Sequence, residues 1–323
     1  DILKWLKPRL TYNTSFSWGR QNLTNPVNTS SNSEMGVSST LNLKNLIETI
    51  YTPTNQGSSS RSGQSRRNSS RPPTSKKKEI KNPILLAIIK PMHSVSSKIS
   101  NISITYKNRW SHQFGSVEGR PDMLFKLGIS GDSGLPLFED LLPSYKHEFS
   151  NDLALNTTVS ITQKLSTTVK YNMSDLRREE ALKDEYRQVK KSFIPFGDRG
   201  NEGIPMFTWS INWSGFEKLP LVNKVFKTMS FSHAYQGEQV LVYDGADQDK
   251  SDYNISFSPL LGVNAKTKWK TPLDVSLNVK HNVTIKNDGA STTKNYTNGV
   301  NSSFTYRHDG GLNIPLFFFR DFD

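Results

Sequence analysis

The chain has 323 residues, of which 34% are hydrophobic and 11% are aromatic, and it has no cysteine. The hydrophobic fraction is low for a soluble globular chain, whereas the aromatic content argues against wholesale disorder. The formal charge of +12 indicates an anionic neighbour such as nucleic acid, lipid phosphate or acidic cargo. The missing cysteines exclude disulfides and thiolate metal sites, and no apolar run approaches the roughly 20 residues of a transmembrane helix.

Segments in which apolar and polar residues alternate recur along the chain and predict about a dozen β-strands. The predicted hairpin 153–161 and 165–171 turns near Gln163 and Lys164. In chain order, the apolar positions of the other segments are Tyr12, Phe16 and Trp18; Met35, Val37 and Leu41; Ile102, Ile104, Tyr106 and Trp110; Met123, Phe125, Leu127 and Ile129; Phe207, Trp209, Ile211 and Trp213; Met229, Phe231, His233 and Tyr235; Tyr253, Ile255 and Phe257; Val263, Ala265 and Trp269; and a final run over 312–318.

Two stretches depart from this alternation. The segment 174–191 combines a capping serine with charges spaced four residues apart, which predicts a helical insertion on one rim. The segment 52–81 is rich in Gly, Ser, Pro and basic residues, which predicts a disordered basic loop. We interpret 1–323 as one excised segment of a longer polypeptide, because it starts at Asp1 with neither a methionine nor a signal peptide.

The longest alternation, over 274–306, indicates two faces in different solvents. A strand from Leu273 to Ile285 spans roughly 40 Å, which exceeds ordinary soluble strands. The fold class predicted is all-β, an antiparallel transmembrane β-barrel wall with lipid on one face and water on the other. The predicted lipid-facing residues are Val275, Leu277, Val279, Val283, Ile285, Phe304 and Tyr306, and the predicted lumen-facing residues are Ser276, Asn278, Lys280, Asn282, Thr284, Asn301, Ser303 and Thr305.

Three tryptophans fall at the ends of alternating runs, on the apolar parity: Trp18, Trp110 and Trp269. This is where an aromatic belt holds a membrane wall at headgroup depth, so we expect them to be interfacial. The alternative is that they are core residues of a soluble sandwich.

The basic segment carries seven cations that we expect to contact an anionic surface such as lipid or lipopolysaccharide phosphate. A solvated loop without a partner is the alternative, and nucleic-acid binding is disfavoured because no aromatic residues are interleaved for base stacking. The seven cations are Arg61, Arg66, Arg67, Arg71, Lys76, Lys77 and Lys78.

Motifs for catalysis or cofactors are weak. Gly131-Asp132-Ser133-Gly134 is similar to the nucleophile motif of chymotrypsin-like proteases, but the preceding histidines His93 and His112 lack that family's sequence setting. The motif is also a good turn. The six histidines show no metal spacing, and acidic loop residues leave only loose calcium binding open. We therefore predict a non-enzyme without catalytic, cofactor or metal residues.

Several stretches, in order, resemble the SprA/Sov family of giant outer-membrane translocons of type IX secretion. The first, Asp1 to Trp18, contains Trp5-Leu6-Lys7-Pro8 and Tyr12 to Trp18. The others are the lead-in from Asn82 to Ser96 with the strand Asn101 to Tyr106, Met229-Ser-Phe-Ser-His-Ala-Tyr235, Phe257-Ser-Pro-Leu-Leu-Gly-Val-Asn264, and Phe304-Thr-Tyr-Arg307. The long basic insert at 52–81 departs from the family's pattern.

The resemblance implies that this segment belongs to the C-terminal half of a much larger single-chain barrel in the bacterial outer membrane, which exports folded proteins and is related to gliding motility. It implies as partners outer-membrane lipid and lipopolysaccharide, secreted protein cargo, a shuttle barrel and a periplasmic plug, with no nucleic acid. Two alternatives remain open: another large outer-membrane barrel, or a soluble β-rich cell-surface protein.

Overall fold

The computed structural model describes residues 5–20, 26–50, 93–138, 142, 144–196, 202–269 and 272–306, and these residues are mostly β-strand. The chain is therefore all-β and antiparallel, as the alternation predicts. The strands are β1 (Leu6–Gly19), β2 (Val27–Leu41), β3 (Ile102–Val117), β4 (Ser144–Thr162), β5 (Leu165–Glu180), β6 (Tyr186–Phe196), β7 (Glu202–Pro205), β8 (Thr208–Ser214), β9 (Phe226–Asp244), β10 (Asp247–Thr267), β11 (Leu273–Asn287) and β12 (Thr292–Tyr306). Helix α1 (Leu43–Ile50) follows β2, and short helical turns occur at Met123–Lys126, Phe216–Lys218 and Val222–Lys224.

The strands lie side by side in the order β1-β2-β3-β4-β5-β6-β9-β10-β11-β12. Strands β6 and β8 share the position between β5 and β9, because each pairs with a different half of these two neighbours. Sequence neighbours are thus mostly sheet neighbours, as short connections between antiparallel strands require.

Short polar turns connect several strand pairs. Between β4 and β5, the Thr162 hydroxyl oxygen accepts hydrogen bonds from the backbone N–H groups of Lys164 (3.2 Å) and Leu165 (3.0 Å). Between β11 and β12, Asp288 Oδ1 accepts from the Ser291 N–H at 2.9 Å. Hydrogen bonds from the backbone and side chain of Ser291 lower the pKa of the Asp288 carboxyl group. Gly289 supplies the left-handed backbone of this turn at φ 81°.

The strands are long. Strand β4 has 19 residues and β10 has 21, whereas strands of soluble proteins centre on about 5–6 residues. The two alternating segments predicted within 253–269 form the single strand β10, which is irregular between Phe257 and Leu261. Trp269 lies beyond the end of β10.

The described strands form one layer with little conventional core. A small cluster of buried residues contains Phe193, Tyr253 and Ile285, and Phe125 is fully buried elsewhere. Many more large apolar side chains are exposed, among them Leu10, Val300 and Phe304, each at 67%. A soluble sheet ordinarily covers its apolar face with a second layer, so this exposure needs a separate explanation.

Strand β6 leaves the sheet partway along its length. It pairs with β9 as far as Ser192, and its continuation pairs with β7 to form a separate hairpin. The Tyr235 hydroxyl donates to the carbonyl oxygen of Phe193 at 2.8 Å, which fixes the point of departure. A Cβ at Gly237 would lie 2.0 Å from the same oxygen, so this close approach requires glycine.

The predicted helix at 174–191 is wrong. The segment forms the end of β5, a turn, and the start of β6. Its charges pair across strands: Arg187 donates to both carboxylate oxygens of Asp175, and Arg178 donates to Glu148. The charges that suggested i,i+4 helix pairs are therefore cross-strand partners.

The predicted strand at 123–129 is also wrong, because Met123–Lys126 is a turn of helix. The carboxylate of Asp122 accepts a hydrogen bond from the Phe125 N–H at 2.7 Å and caps this turn. Alternation over only four apolar positions is a weak strand signal, and the capping carboxylate of Asp122 favours a helical turn instead. The predicted basic loop at 52–81 and the final predicted strand at 312–318 lie outside the described residues.

Candidate functional site: the two faces of the sheet

Cross-strand register assigns every strand residue to one of two faces. Directly opposed residues in an antiparallel pair project to the same side, and successive residues along a strand alternate. In β11 and β12, Val275 opposes Phe304 and Val279 opposes Val300, whereas Asn278 opposes Asn301. The residues predicted to face lipid in these strands therefore share one face, which we call the apolar face. Those predicted to face the lumen share the other, the polar face.

The apolar face is continuous across the whole sheet. One row of directly opposed residues crosses it from edge to edge, and we call it the boundary row. Its members, in order, are Leu10, Val37, Tyr106, Leu153, Met173, Lys191, Gln239, Tyr253, Ile285 and Lys294.

An uncharged band lies on the apolar face to one side of the boundary row. It extends to the row in which Met229 opposes Ala265, Ala265 opposes Val275, and Val275 opposes Phe304. No Asp, Glu, Lys or Arg occupies a strand position on this face between the two rows in the described residues. We call this region the apolar band.

The height of the apolar band can be estimated along β11. From Ile285 to Val275 there are ten residue steps, or roughly 33 Å at ~3.3 Å each. With the ~35–45° strand tilt of outer-membrane barrels, this corresponds to a vertical height of about 25 Å. That is the height of the apolar belt such proteins present to lipid.

A charged cluster ends the apolar band beyond the boundary row, on β5 and β6. Arg187 Nε and Nη2 lie 2.9 and 2.7 Å from the Asp175 carboxylate oxygens, and Arg177 lies 3.9 Å from the same carboxylate. The Arg187 guanidinium also lies over the Tyr243 ring, 5.8 Å from its centroid. Charged side chains and an aromatic ring thus replace the uncharged side chains of the apolar band at this level.

The polar face carries mixed charges in cross-strand networks. Glu34 accepts from Lys107 at 2.8 Å and from Arg109 at 2.7 Å, and Arg109 also lies 2.9 Å from Asp152. A second network joins Glu148 to Lys146 and Arg178. Side chains of alternating charge, interspersed with Ser, Thr and Asn, make this a hydrated surface with few apolar patches.

Part of the apolar face on β1 to β4 lies beneath the segment 118–138, which we call the cover loop. Phe125 of this loop packs edge-on against the rings of Phe16 and Phe114 and is fully buried. Trp18 Nε1 donates to the Gly119 carbonyl at 2.9 Å, and Trp110 Nε1 donates to the Gly128 carbonyl at 2.6 Å. The two tryptophans thus use their polar edges to hold the loop.

The three tryptophans expected at an interface therefore differ in their surroundings. Trp18 is 39% exposed and Trp110 is partly buried, both on the apolar face. Trp269 is 56% exposed and follows β10. The cover loop was not predicted from the sequence, because contacts such as Trp18 with Gly119 and Tyr12 with Leu127 join residues more than a hundred positions apart. The basic residues Arg61 to Lys78 lie outside the described part of the chain.

The Gly131–Gly134 motif lies in the cover loop as a turn. Asp132 Oδ1 accepts from the Gly134 N–H at 3.0 Å, and the Ser133 side chain is buried. His112 lies beside Gly131, but its Nδ1 is 2.7 Å from Nδ1 of His147. Nδ1 of His112 thus pairs with a second histidine.

Two further histidines on the apolar face of the strands have polar partners. His281 Nδ1 lies 2.6 Å from Asn298 Oδ1, and His233 Nδ1 lies 2.8 Å from the carbonyl oxygen of Leu260. Within the described ranges, no three side chains of the metal-binding types come together.

Among the described residues, no helix is long and apolar enough to cross a membrane. No family model matches this chain, and a search of curated proteins also gives no significant match.

Two glycines of the cover loop allow a matched test of how tightly the loop packs on the sheet. Gly128 and Gly134 both have left-handed backbones, at φ 68° and 67°. A Cβ at Gly128 would lie 1.7 Å from Ser33 Oγ, whereas one at Gly134 would meet nothing within 4 Å. Both substitutions by alanine share the backbone strain, which costs roughly 1–2 kcal/mol, and only Gly128→Ala adds a clash.

We expect Gly128→Ala to expose the cover loop and Gly134→Ala to leave it packed. Backbone amide exchange of 118–138 should accelerate by about tenfold or more relative to Gly134→Ala, because overpacking adds roughly 1–3 kcal/mol. Equal exchange in the two variants would contradict the tight packing of Gly128 on Ser33.

Proposed function

We propose that this chain forms part of the wall of a protein-conducting β-barrel pore in the bacterial outer membrane. The apolar face contacts lipid, and the polar face lines a water-filled lumen through which folded proteins are exported. The observation that carries this proposal is the one-layer sheet with many exposed apolar side chains on one face, which is uncharged over about 25 Å of height and opposed by a face of mainly polar and charged residues.

A bilayer accounts for the features that a soluble fold does not. Tyr296, Val300, Phe304 and Tyr306 are all at least 57% exposed on the apolar face of β12. In water such a surface is an aggregation site, whereas in lipid it is the favoured contact. Long strands then cross the membrane and continue into water on either side.

The proposal requires further strands. In the described residues, β1 pairs only with β2 and β12 only with β11. An open strand edge in hydrocarbon leaves backbone groups without hydrogen bonds, so the sheet must be closed by other strands. The resemblance to the SprA/Sov family supports a large barrel, with lipopolysaccharide, secreted cargo, a shuttle barrel and a periplasmic plug as partners.

Mixed charges and hydroxyl and amide groups on the polar face keep water bound and give a passing folded protein little apolar surface to adhere to. The basic segment 61–78 is proposed to contact lipid or lipopolysaccharide phosphates at one rim.

Substitutions at neighbouring positions of β11 test the orientation of the wall. Val279 lies at mid-height of the apolar band, and Asn278 is its neighbour on the polar face. We expect Val279→Lys to destabilise the assembled barrel by about 2–4 kcal/mol, as lysine at the bilayer midplane does. Asn278→Lys should be nearly neutral.

The amount of heat-resistant, folded protein in outer-membrane fractions measures this difference. Equal loss in the two variants would contradict an orientation with Val279 in lipid and Asn278 in water.

Site-specific photo-crosslinking tests protein export. A photoreactive amino acid at Asn282, on the polar face, should capture secreted proteins in transit. The same group at Val279, on the apolar face, should capture lipid and no cargo. Cells in which secretion is arrested provide the sample, and the adducts are identified by mass spectrometry. Cargo captured at Val279 but not at Asn282 would reverse the two faces, and no cargo at either position would contradict a protein-conducting lumen.

A further inference from the structure

The cover loop displays aliphatic side chains on its outer surface. Met123 is 65% exposed, Leu124 52%, Leu127 41% and Ile129 66%, although all four lie within seven residues of one another. Phe125, in the middle of this set, is fully buried against the sheet. One side chain thus anchors the loop while four aliphatic side chains project away from it, and we call these four the aliphatic tip.

The backbone beneath the aliphatic tip is held firmly. The N–H groups of Ile129 and Ser130 both donate to the Leu124 carbonyl, at 2.9 and 3.2 Å, and close the helical turn. The Tyr12 hydroxyl donates to the Leu127 carbonyl at 2.5 Å. Gly128 is packed so closely on Ser33 that no larger residue fits without displacement. The exposure of the aliphatic side chains is therefore a property of an ordered surface.

The position of the aliphatic tip on the sheet can be read from the register. Gly128 packs against Ser33 and Thr14 and accepts from Trp110, and these three strand residues oppose one another. Their row continues across the sheet through Phe149 and Arg177 to Arg187. The tip thus lies at the level where the charged cluster ends the apolar band.

The side of the sheet is equally defined. Tyr12, Trp18 and Trp110 hold the loop, and all three project from the apolar face. The tip therefore cannot meet the surface that we assign to the lumen. Its surroundings are amphipathic: the Arg120 guanidinium lies over the Trp18 ring, 5.3 Å from its centroid, and Lys126 follows Phe125. Cations, indole rings and exposed aliphatic groups on one side of a sheet are typical of a membrane interface.

We propose that the aliphatic tip of the cover loop is a lipid anchor that inserts into the outer membrane at the boundary between headgroups and acyl chains. The proposal rests on the wall function proposed above. Lipid is the occupant because the tip lies on the same side of the sheet as the apolar band, two rows beyond the boundary row and at the level of Arg177 and Arg187. The ordered loop loses little conformational freedom on insertion, which favours binding.

The anchor is tested by fluorescence quenching in the complete protein reconstituted into phospholipid vesicles. Because the sequence has no cysteine, single cysteines report once any elsewhere in the complete polypeptide are replaced. An environment-sensitive fluorophore is attached at Leu124→Cys or Ile129→Cys. Matched controls carry it at Val279→Cys in the apolar band and at Asn278→Cys on the polar face. Quenchers are lipids with a nitroxide near the headgroup, lipids with a nitroxide near the methyl end, and aqueous iodide.

We expect the headgroup-proximal nitroxide to reduce emission at 124 and 129 by about twofold or more, and the deep nitroxide to reduce it less, as an interfacial position requires. Emission at 279 should respond to the deep nitroxide, and emission at 278 only to iodide. If lipid nitroxides quenched the emission at 124 and 129 but not at 279, the proposed lipid anchor would stand and the proposed membrane wall would be contradicted.

Two results would overturn the anchor while leaving the wall intact, provided that 279 is quenched by lipid. If iodide alone quenched 124 and 129, the tip would lie in water. If neither lipid nitroxides nor iodide quenched them, another part of the complete polypeptide would cover the tip. If all four positions were quenched only by iodide, both the wall and the anchor would be wrong.

Discussion

The strict antiparallel register is the constraint on which the rest of this structure depends. Because neighbouring strands are paired residue against residue, a side chain's face is fixed by its position and by that of its partner across the ladder. A shift of one residue in β11 would move Val275 to Ile285 from the apolar to the polar face. A difference in chemistry between the two faces therefore fixes the register, and the faces differ along nearly every strand described.

Three features interrupt the regular sheet without changing how its strands are paired. Strand β6 leaves the sheet after Ser192, and β8 completes the same position, so the pairing of β5 and β9 is not lost. The cover loop packs on the apolar face of β1 to β4 without replacing any strand. The Asp175–Arg187 pair lies on the same face just outside the apolar band. The band between the two rows stays free of charged strand residues, but Phe193 of the departing β6 packs on Tyr253 and Ile285 and so covers part of it.

Much of the sheet could be predicted because its signals are local. The alternation in 273–306 and the two-residue turn after Thr162 specify strands from neighbouring residues alone. The error at 174–191 has a physical cause, since cross-strand charge pairs and helical charge pairs use the same residue types. The cover loop could not be predicted, because Phe125 meets Phe16 only after folding. Gly237, a lone glycine in an alternating strand, was an available signal for the departure of β6.

Chemical labelling along β11 tests the central claim most directly, namely that one face contacts lipid and the other water. Single cysteines from 274 to 286, in the complete polypeptide in native membranes, are treated with a membrane-impermeant maleimide. We expect modification at even positions such as Ser276 and Thr284, and protection at odd positions such as Leu277 and Val279. Equal modification at both parities, or release of the protein from membranes by salt, would contradict it.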